Sequence, residues 1–212
     1  MDLVIIFVRK NPSSPMVLDL IVPLINIIRA TPAKSITGQF VQKIIAFLKN
    51  RLPKMSEYPK EHDQQVIVDV YQAVYDFARS TNSSDMFDMC VQLSLYLRKC
   101  VLGAADAEIT NDMSPKTREE IEKLDAITIT ALEEYMTKKN TRYRKDIFVH
   151  PLQRSPFSSW PLLEALIQYI NSAECINLFK HTQATQWITA VVQRTVAKVI
   201  IDNKHSNMDI VC

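Results

Sequence analysis

The chain has 212 residues, 47% of them hydrophobic and 23% charged, and its formal net charge is +2. These values are typical of a globular protein, but two glycines are too few for the tight hairpins, phosphate loops and nucleophile elbows of most enzyme folds. The four cysteines form no Cys-x-x-Cys pair, which disfavours a zinc site or a disulfide framework. No uncharged apolar run reaches the roughly 18 residues of a membrane span, which disfavours a membrane-spanning protein.

The first predicted element is the apolar run 1–8, which lacks the basic segment and cleavage site of a signal peptide and is typical of the end of a helix from a longer protein. Ser14 and Pro15 then predict the N-cap and first residue of a helix that is apolar on most faces, as expected for a helix with several packing neighbours. Pro23 lies in the polar stripe of that helix, where the unpaired carbonyl of Asp19 can be solvated, so we expect a bend there.

Capping residues, prolines and apolar spacing predict the remaining helices in chain order. The second helix opens at Ser35 and ends at Pro53, and the fourth is capped by residues 82–84 and stops at Gly103. The full set is 16–30, 35–52, 63–79, 84–102, 114–137, a short helix around 147–148 that runs into Pro151 and Pro156, then a helix opened by Ser158 or Ser159 that reaches 170, and helices over 172–179 and 182–202.

The fold class that follows is all-α, a HEAT/armadillo-like α-solenoid of about nine to ten helices, because no alternating strand pattern is present. A helical-repeat block 1–103 is followed by an acidic loop, 104–113, and by a block 114–202 that continues the same domain. Residues 203–212 are predicted to be a loop-like tail. No strict internal period is visible, so an irregular helical bundle is the alternative.

Catalytic and metal-binding patterns are scarce. No phosphate loop, dinucleotide fingerprint, His-Glu-x-x-His helix or nucleophile elbow is present, and the four histidines offer no i, i+4 pair. Tyr71 and Tyr75, four residues apart on one helix, fit packing in a helix interface better than base stacking. We therefore expect no catalytic site, metal, cofactor or small-molecule substrate, and we expect the cysteines to be buried free thiols.

Charge is unevenly spread, which says more about partners than the net value does. Residues 1–60 carry nine Lys or Arg against three acidic residues, and residues 138–154 carry six Lys or Arg against one acidic residue. Residues 104–134 have the opposite balance, with three Lys or Arg and nine acidic residues. In the segment 138–145, the cations either complement the dipole of a helix C-terminus or grip nucleic-acid phosphates, with Tyr143 free to stack on a base. The candidate nucleic-acid-binding residues are Lys138, Lys139, Arg142, Tyr143, Arg144 and Lys145, with Lys49, Arg51 and Lys54 in a second basic zone.

Several stretches resemble the C-terminal half of the Myb-binding protein 1A / DNA polymerase phi family, in particular its fungal "fifth DNA polymerase" members. They are residues 9–25, with Asn11-Pro12 before a Leu-rich helix carrying Pro23-Leu24, and the helix ends LYLRKCVLG at 95–103 and MTKKN at 136–140. The order and spacing of these elements match over most of residues 1–190. The 104–113 loop falls where the family has an insert of variable length.

The resemblance implies a long nucleolar protein of helical repeats, in which an acidic disordered stretch precedes this segment. It implies a non-enzymatic scaffold in ribosome biogenesis, in large-subunit pre-rRNA processing or rDNA transcription, with pre-ribosomal proteins and rRNA or rDNA as partners. The polymerase name finds no support in the residues, since the closest acidic pair, Asp85 and Asp88, are ordinary surface acids of a helix. A protein-binding helical-repeat adaptor without nucleic-acid contact is the alternative.

Overall fold

The structure, a computed structural model, describes residues 1–31, 38–59, 61–103, 114–154, 160–171 and 177–208, and within these ranges it describes the side chains as far as residue 193 except those of Arg154 and Asn171. All regular elements in these ranges are helices, and none is a strand. In chain order they are α1 (Asp2–Lys10), α2 (Met16–Asp19), α3 (Ile21–Ala30), α4 (Gly38–Ala46), a π-helical turn (Phe47–Arg51), a 3-10 turn (Leu52–Lys54), α5 (Gln64–Ser80), α6 (Ser84–Leu102), α7 (Pro115–Thr137), α8 (Asp146–Arg154), α9 (Trp160–Asn171) and α10 (Leu178–Met208).

Near Pro23 the helix is interrupted at one residue, Leu20, which separates α2 from α3 and keeps α-helical backbone angles. The amide of Leu20 donates to the carbonyl of Met16 at 3.3 Å, and the amide of Leu24 donates to the carbonyl of Leu20 at 3.2 Å. Proline has no N–H to bond the carbonyl of Asp19, four residues earlier, so the ladder is interrupted at this level.

Helix caps fix where the longest helices begin. The Asp63 carboxylate accepts from the amide of Gln65 at 2.7 Å ahead of α5, and the Ser83 hydroxyl accepts from the amide of Met86 at 3.4 Å ahead of α6. Ser114 caps α7, whose first residue is Pro115. These starts agree with the predicted ones because each depends on a local side chain-to-backbone bond.

Helix α6 lies at the centre of the fold. It packs against α5, α7, α8, α4 and the π turn. Its aromatic, sulfur-containing and aliphatic side chains are therefore buried on several faces of the helix. A buried ion pair joins α6 to α7, with Arg98 Nη1 2.6 Å from Asp125 Oδ1. Beside it the Thr128 hydroxyl lies 3.0 Å from that of Tyr71 and 3.2 Å from that of Tyr75. Both tyrosines are fully buried between helices, as the spacing predicts.

The all-α helical stack is confirmed, and three segments differ from the predicted elements. The predicted helix before Pro53 ends in a π turn followed by the 3-10 turn that contains Pro53, which has no N–H to bond the carbonyl of Lys49 and so prevents an α-helix from continuing. Helix α8 extends from Asp146 to Arg154, so it includes Pro151 and ends two residues before Pro156. Helix α10 runs unbroken from Leu178 to Met208, so the predicted break between the helices 172–179 and 182–202 is wrong and residues 203–208 are helical rather than loop.

Some predicted features lie outside the described residues. They are the acidic loop 104–113, the Ser35 cap, the helix start at Ser158 or Ser159, and residues 172–176 of the short helix predicted over 172–179. Among the described residues, Cys90 and Cys100 are buried free thiols, as expected. Burial raises the pKa of the Cys100 thiol to about 12.

Candidate nucleic-acid interface

The C-terminal ends of three helices meet at one edge of the fold, which we call the helix-end edge. Arg29 of α3 lies over the ring of Phe77 in α5, with 5.5 Å from its guanidinium carbon to the ring centroid. Arg79, in the last turn of α5, pairs with Glu134 of α7 at 3.0 Å. A cation at a helix C-terminus is favourable because the carbonyls there carry partial negative charge.

The basic segment 138–145 leaves the end of α7 at this edge. Lys138, Lys139, Arg142 and Lys145 are exposed. Lys138 is partly neutralised, since its ammonium lies 3.4 Å from the Glu134 carboxylate. No carboxylate of the described residues lies within salt-bridge distance of the other three cations. These three are therefore available to bind an anion.

Tyr143 does not have the predicted role. Its ring is buried, with centroids 6.3 Å from Tyr75 and 6.2 Å from Phe148, and burial raises the pKa of its hydroxyl to about 12. The segment closes over the core between α5 and α7, and an aromatic ring is the side chain that gains most from that burial. Tyr143 anchors the segment and is not available to stack on a base.

Arg144 is also held by the fold. Its guanidinium donates to the Ser84 hydroxyl and to the Asn82 carbonyl, each at 3.3 Å, and lies 5.1 Å from the centroid of the Phe87 ring. These contacts use two of its five N–H donors and one face of the guanidinium, and they fasten the segment to the α5–α6 turn. The phosphate contact of Arg144 stays a prediction, beside this positioning role.

The second basic zone, Lys49, Arg51 and Lys54, lies close to the segment 138–145 only at Lys49. Lys49 lies 3.2 Å from Asp85 and 2.9 Å from Asp88, and hydrogen bonding to Asp88 is the main cause that raises its pKa. Lys49 is thus neutralised beside the first turn of α6, the same turn that Arg144 contacts. Asp85 and Asp88 are surface acids, in agreement with the sequence analysis.

Arg51 and Lys54 are exposed but lie farther along α6. The carbonyl of Met55, next in the chain after Lys54, accepts from Lys99 Nζ at 3.3 Å. Lys99 stands fifteen residues after Ser84, about 22 Å along the helix at 1.5 Å per residue. The exposed cations of the two zones therefore face different parts of the surface.

A cleft of about 680 Å³ opens at the helix-end edge. Its lining combines three arginines with two acids and two neutral polar residues: Arg29, Arg79, Arg142, Asp76, Glu134, Ser80 and Asn140. Glu134 holds Arg79 through two bonds, Nε–Oε1 at 3.2 Å and Nη2–Oε2 at 3.0 Å. Arg29 and Arg142 have no such carboxylate among the described residues, so their guanidinium groups are the available anion ligands.

The sequence analysis did not single out Arg29 or Arg79 as site residues. Each is the basic residue in the last turn of its helix, and that position is the only local signal. Their approach to Arg142 depends on three helix ends meeting, which no local pattern encodes.

Other chemistry has little support in the described part of the chain. No group of three or more His, Cys, Asp or Glu side chains is placed there to hold a metal ion. Within the same residues, no helix combines the length and apolar character needed to cross a membrane. His62 Nε2 lies 3.5 Å from the Glu120 carboxylate of α7, and both side chains are buried.

Comparison with known proteins gives one family. A family model described as Myb-binding protein 1A-like, TPR repeats, matches residues 11–208. A Danio rerio protein named Myb-binding protein 1A-like protein is 21% identical over 177 residues, which is 81% of this chain. The chain spans 14% of the length of that relative. No solved structure matches the chain.

Proposed function

The chain belongs to the Myb-binding protein 1A-like family of helical-repeat proteins, and from that premise we propose that it is a non-enzymatic scaffold of the nucleolus. In this proposal it acts in ribosome biogenesis, in large-subunit pre-rRNA processing or rDNA transcription, and its partners are pre-ribosomal proteins with rRNA or rDNA. The resemblance of residues 9–25, 95–103 and 136–140 to the family supports this role.

The observation that carries the nucleic-acid part of the proposal is the group of exposed cations at the helix-end edge. Lys139, Arg142 and Lys145 are exposed without a described carboxylate partner, and Arg29 faces the same cleft as Arg142. Tyr143 and Arg144, which lie between Arg142 and Lys145 in the chain, hold the segment in place. Cations fixed in this way bind phosphates at a smaller entropic cost than cations on a free loop.

The test is RNA binding by a variant with Lys139, Arg142 and Lys145 all replaced by alanine. Tyr143 and Arg144 are kept, because their replacement would loosen the segment itself. Affinity for a single-stranded RNA oligonucleotide is measured by fluorescence anisotropy at several salt concentrations. Losing three phosphate contacts should weaken binding and lower the slope of log affinity against log salt by about 2.

A matched control replaces three exposed cations that do not line the cleft, Lys10, Lys43 and Arg118, with alanine. This control changes the net charge by the same amount. If both variants lose the same affinity and slope, binding reflects net charge alone and the helix-end edge is not the interface.

The rival function is an adaptor that binds proteins only. It is favoured by apolar side chains exposed on α9 and α10, among them Trp160, Leu178 and Phe179. The adaptor predicts no measurable RNA affinity at physiological salt. It also predicts that partners recovered with the protein from a lysate survive nuclease treatment, whereas the RNA-contacting scaffold loses many of them.

A further inference from the structure

We infer that a groove between α1 and the π-helical turn docks an amphipathic peptide of a partner protein, one that carries carboxylates beside an apolar face. The groove has a volume of about 440 Å³ and is lined by Ile5, Arg9, Phe47, Arg51 and Met55. It shares no lining residue with the cleft at the helix-end edge. The inference goes beyond the proposed contact with nucleic acid, because it concerns a different surface and a different class of ligand.

The groove has an apolar floor. Ile5 and Met55 are partly exposed and supply aliphatic and thioether surface, and the buried ring of Phe47, 3% exposed, underlies them. Ile6, next to Ile5 on α1 but not in the groove lining, is 48% exposed. Burial of apolar side chains on such a floor stabilises a complex by about 25 cal/mol for each Å² removed from water. A phosphate backbone brings no apolar group to this floor, whereas one face of an amphipathic peptide does.

Both charged residues of the groove are cations. Arg9 and Arg51 are exposed, and no described carboxylate lies within salt-bridge distance of either guanidinium. Each guanidinium is therefore free to form a bidentate pair with a carboxylate of the ligand. This charge pattern selects an acidic peptide over a neutral or basic one of the same apolar content.

The backbone holds this arrangement before any ligand binds. The amide of Leu52 donates to the carbonyl of Phe47, five residues earlier, which defines the π turn that presents Phe47 and Arg51 to one groove. Turns of this kind are rare and recur at functional sites. On the far side the carbonyl of Met55 is held by Lys99 Nζ. A preformed groove loses little entropy on binding.

The probe is a fluorescein-labelled peptide of about sixteen residues, roughly four helical turns, with leucines at helical spacing flanked by glutamates. A second peptide has lysine in place of every glutamate. Binding of both to the 212-residue chain is compared with binding to Arg9→Glu/Arg51→Glu. The control is Arg118→Glu/Lys145→Glu, which makes the same charge change at exposed positions outside the groove.

We expect the acidic peptide to bind the parent chain and to lose about tenfold in affinity or more in the groove variant, with less than about twofold loss in the control. The basic peptide should show the reverse preference. Equal losses in both variants, or no binding of the acidic peptide to the parent, would overturn the inference. A dimer of the chain in sedimentation that the groove variant dissolves would also overturn it, because the occupant would then be a second copy.

RNA anisotropy on the same variants separates this inference from the proposed function. The groove variant should keep more RNA affinity than the control, which has lost Lys145 of the helix-end edge. Failure of peptide binding with this RNA result intact would refute the groove alone.

Discussion

The buried pair of Arg98 and Asp125 offers the most direct test of the packing between α6 and α7. The two side chains are only 6% and 5% exposed, and their nearest charged atoms are 2.6 Å apart. Replacing Asp125 with asparagine keeps the volume of the side chain but removes the counter-charge of a buried guanidinium. Breaking a buried pair in this way costs about 3–5 kcal/mol.

We expect the lower end, about 3 kcal/mol, because the amide oxygen of asparagine can still accept a hydrogen bond from Arg98. This is a large part of the roughly 5–15 kcal/mol that stabilises a folded domain. With a urea m-value of about 3 kcal/mol/M, the midpoint should fall by about 1 M at unchanged m. The assay is urea unfolding followed by far-UV circular dichroism.

Two comparisons make the result decisive. Arg98→Met/Asp125→Leu replaces both charges with apolar groups, and it should be more stable than Asp125→Asn because no buried charge is left unpaired. Glu119→Gln removes one partner of an exposed i, i+4 pair with Lys123 at 2.8 Å and should leave the midpoint unchanged. The reasoning is refuted if Asp125→Asn is no less stable than Glu119→Gln, or if the double variant is as unstable as the single one.

Three further outcomes are expected. Gly103→Ala should lower the free energy of unfolding in urea by about 1–3 kcal/mol, because Gly103 has φ 91° and ψ −179°, a backbone conformation that is strained for a residue with a Cβ. The loss should come from this strain alone, since the added Cβ would meet only the Tyr58 hydroxyl at 3.6 Å. An unchanged midpoint would show that the backbone can relax. Asp63→Ala removes the acceptor for the amide of Gln65 and should lower the free energy of unfolding by about 1 kcal/mol. Asp63→Asn, whose side-chain oxygen can accept the same bond, should keep most of that free energy. Burial raises the pKa of the Tyr143 hydroxyl to about 12, whereas its pKa in the unfolded chain is about 10. The stability that the neutral, buried hydroxyl contributes is therefore fully present below pH 10 and is lost as the pH rises toward 12. Urea midpoints should therefore fall less between those pH values in Tyr143→Phe than in the parent, and equal falls would contradict the burial argument.

The helix starts could be predicted because they depend on residues close in sequence. The Asp63, Ser83 and Ser114 caps each bond an amide two or three residues ahead, and Pro23 removes one specific backbone bond. The course of the chain near Pro53 could not be predicted in the same way. Proline predicts that a helix ends, but whether the last turn is α or π depends on how Phe47 and Leu48 pack.

The candidate site shows the same division between residue type and placement. The sequence places five cations between residues 138 and 145, and four of them are exposed. It does not distinguish Tyr143, which is buried against Phe148, from a stacking residue, because an aromatic ring serves both roles. Lys49 likewise has the sequence context of a free cation, and its acidic partners lie 36 and 39 residues further along the chain.

The sequence by itself determined that this protein is a stack of helices, since near-absence of glycine, capping residues and apolar spacing act over a few residues of chain. Only the tertiary structure decided which surface is available for binding. Arg29, Arg79 and Arg142 line one cleft because three helix ends meet there, and Arg9 and Arg51 line one groove because α1 packs beside the π turn. The physical reason is that hydrogen bonds within a helix connect near neighbours, whereas burial and ion pairing between helices depend on how the whole chain packs.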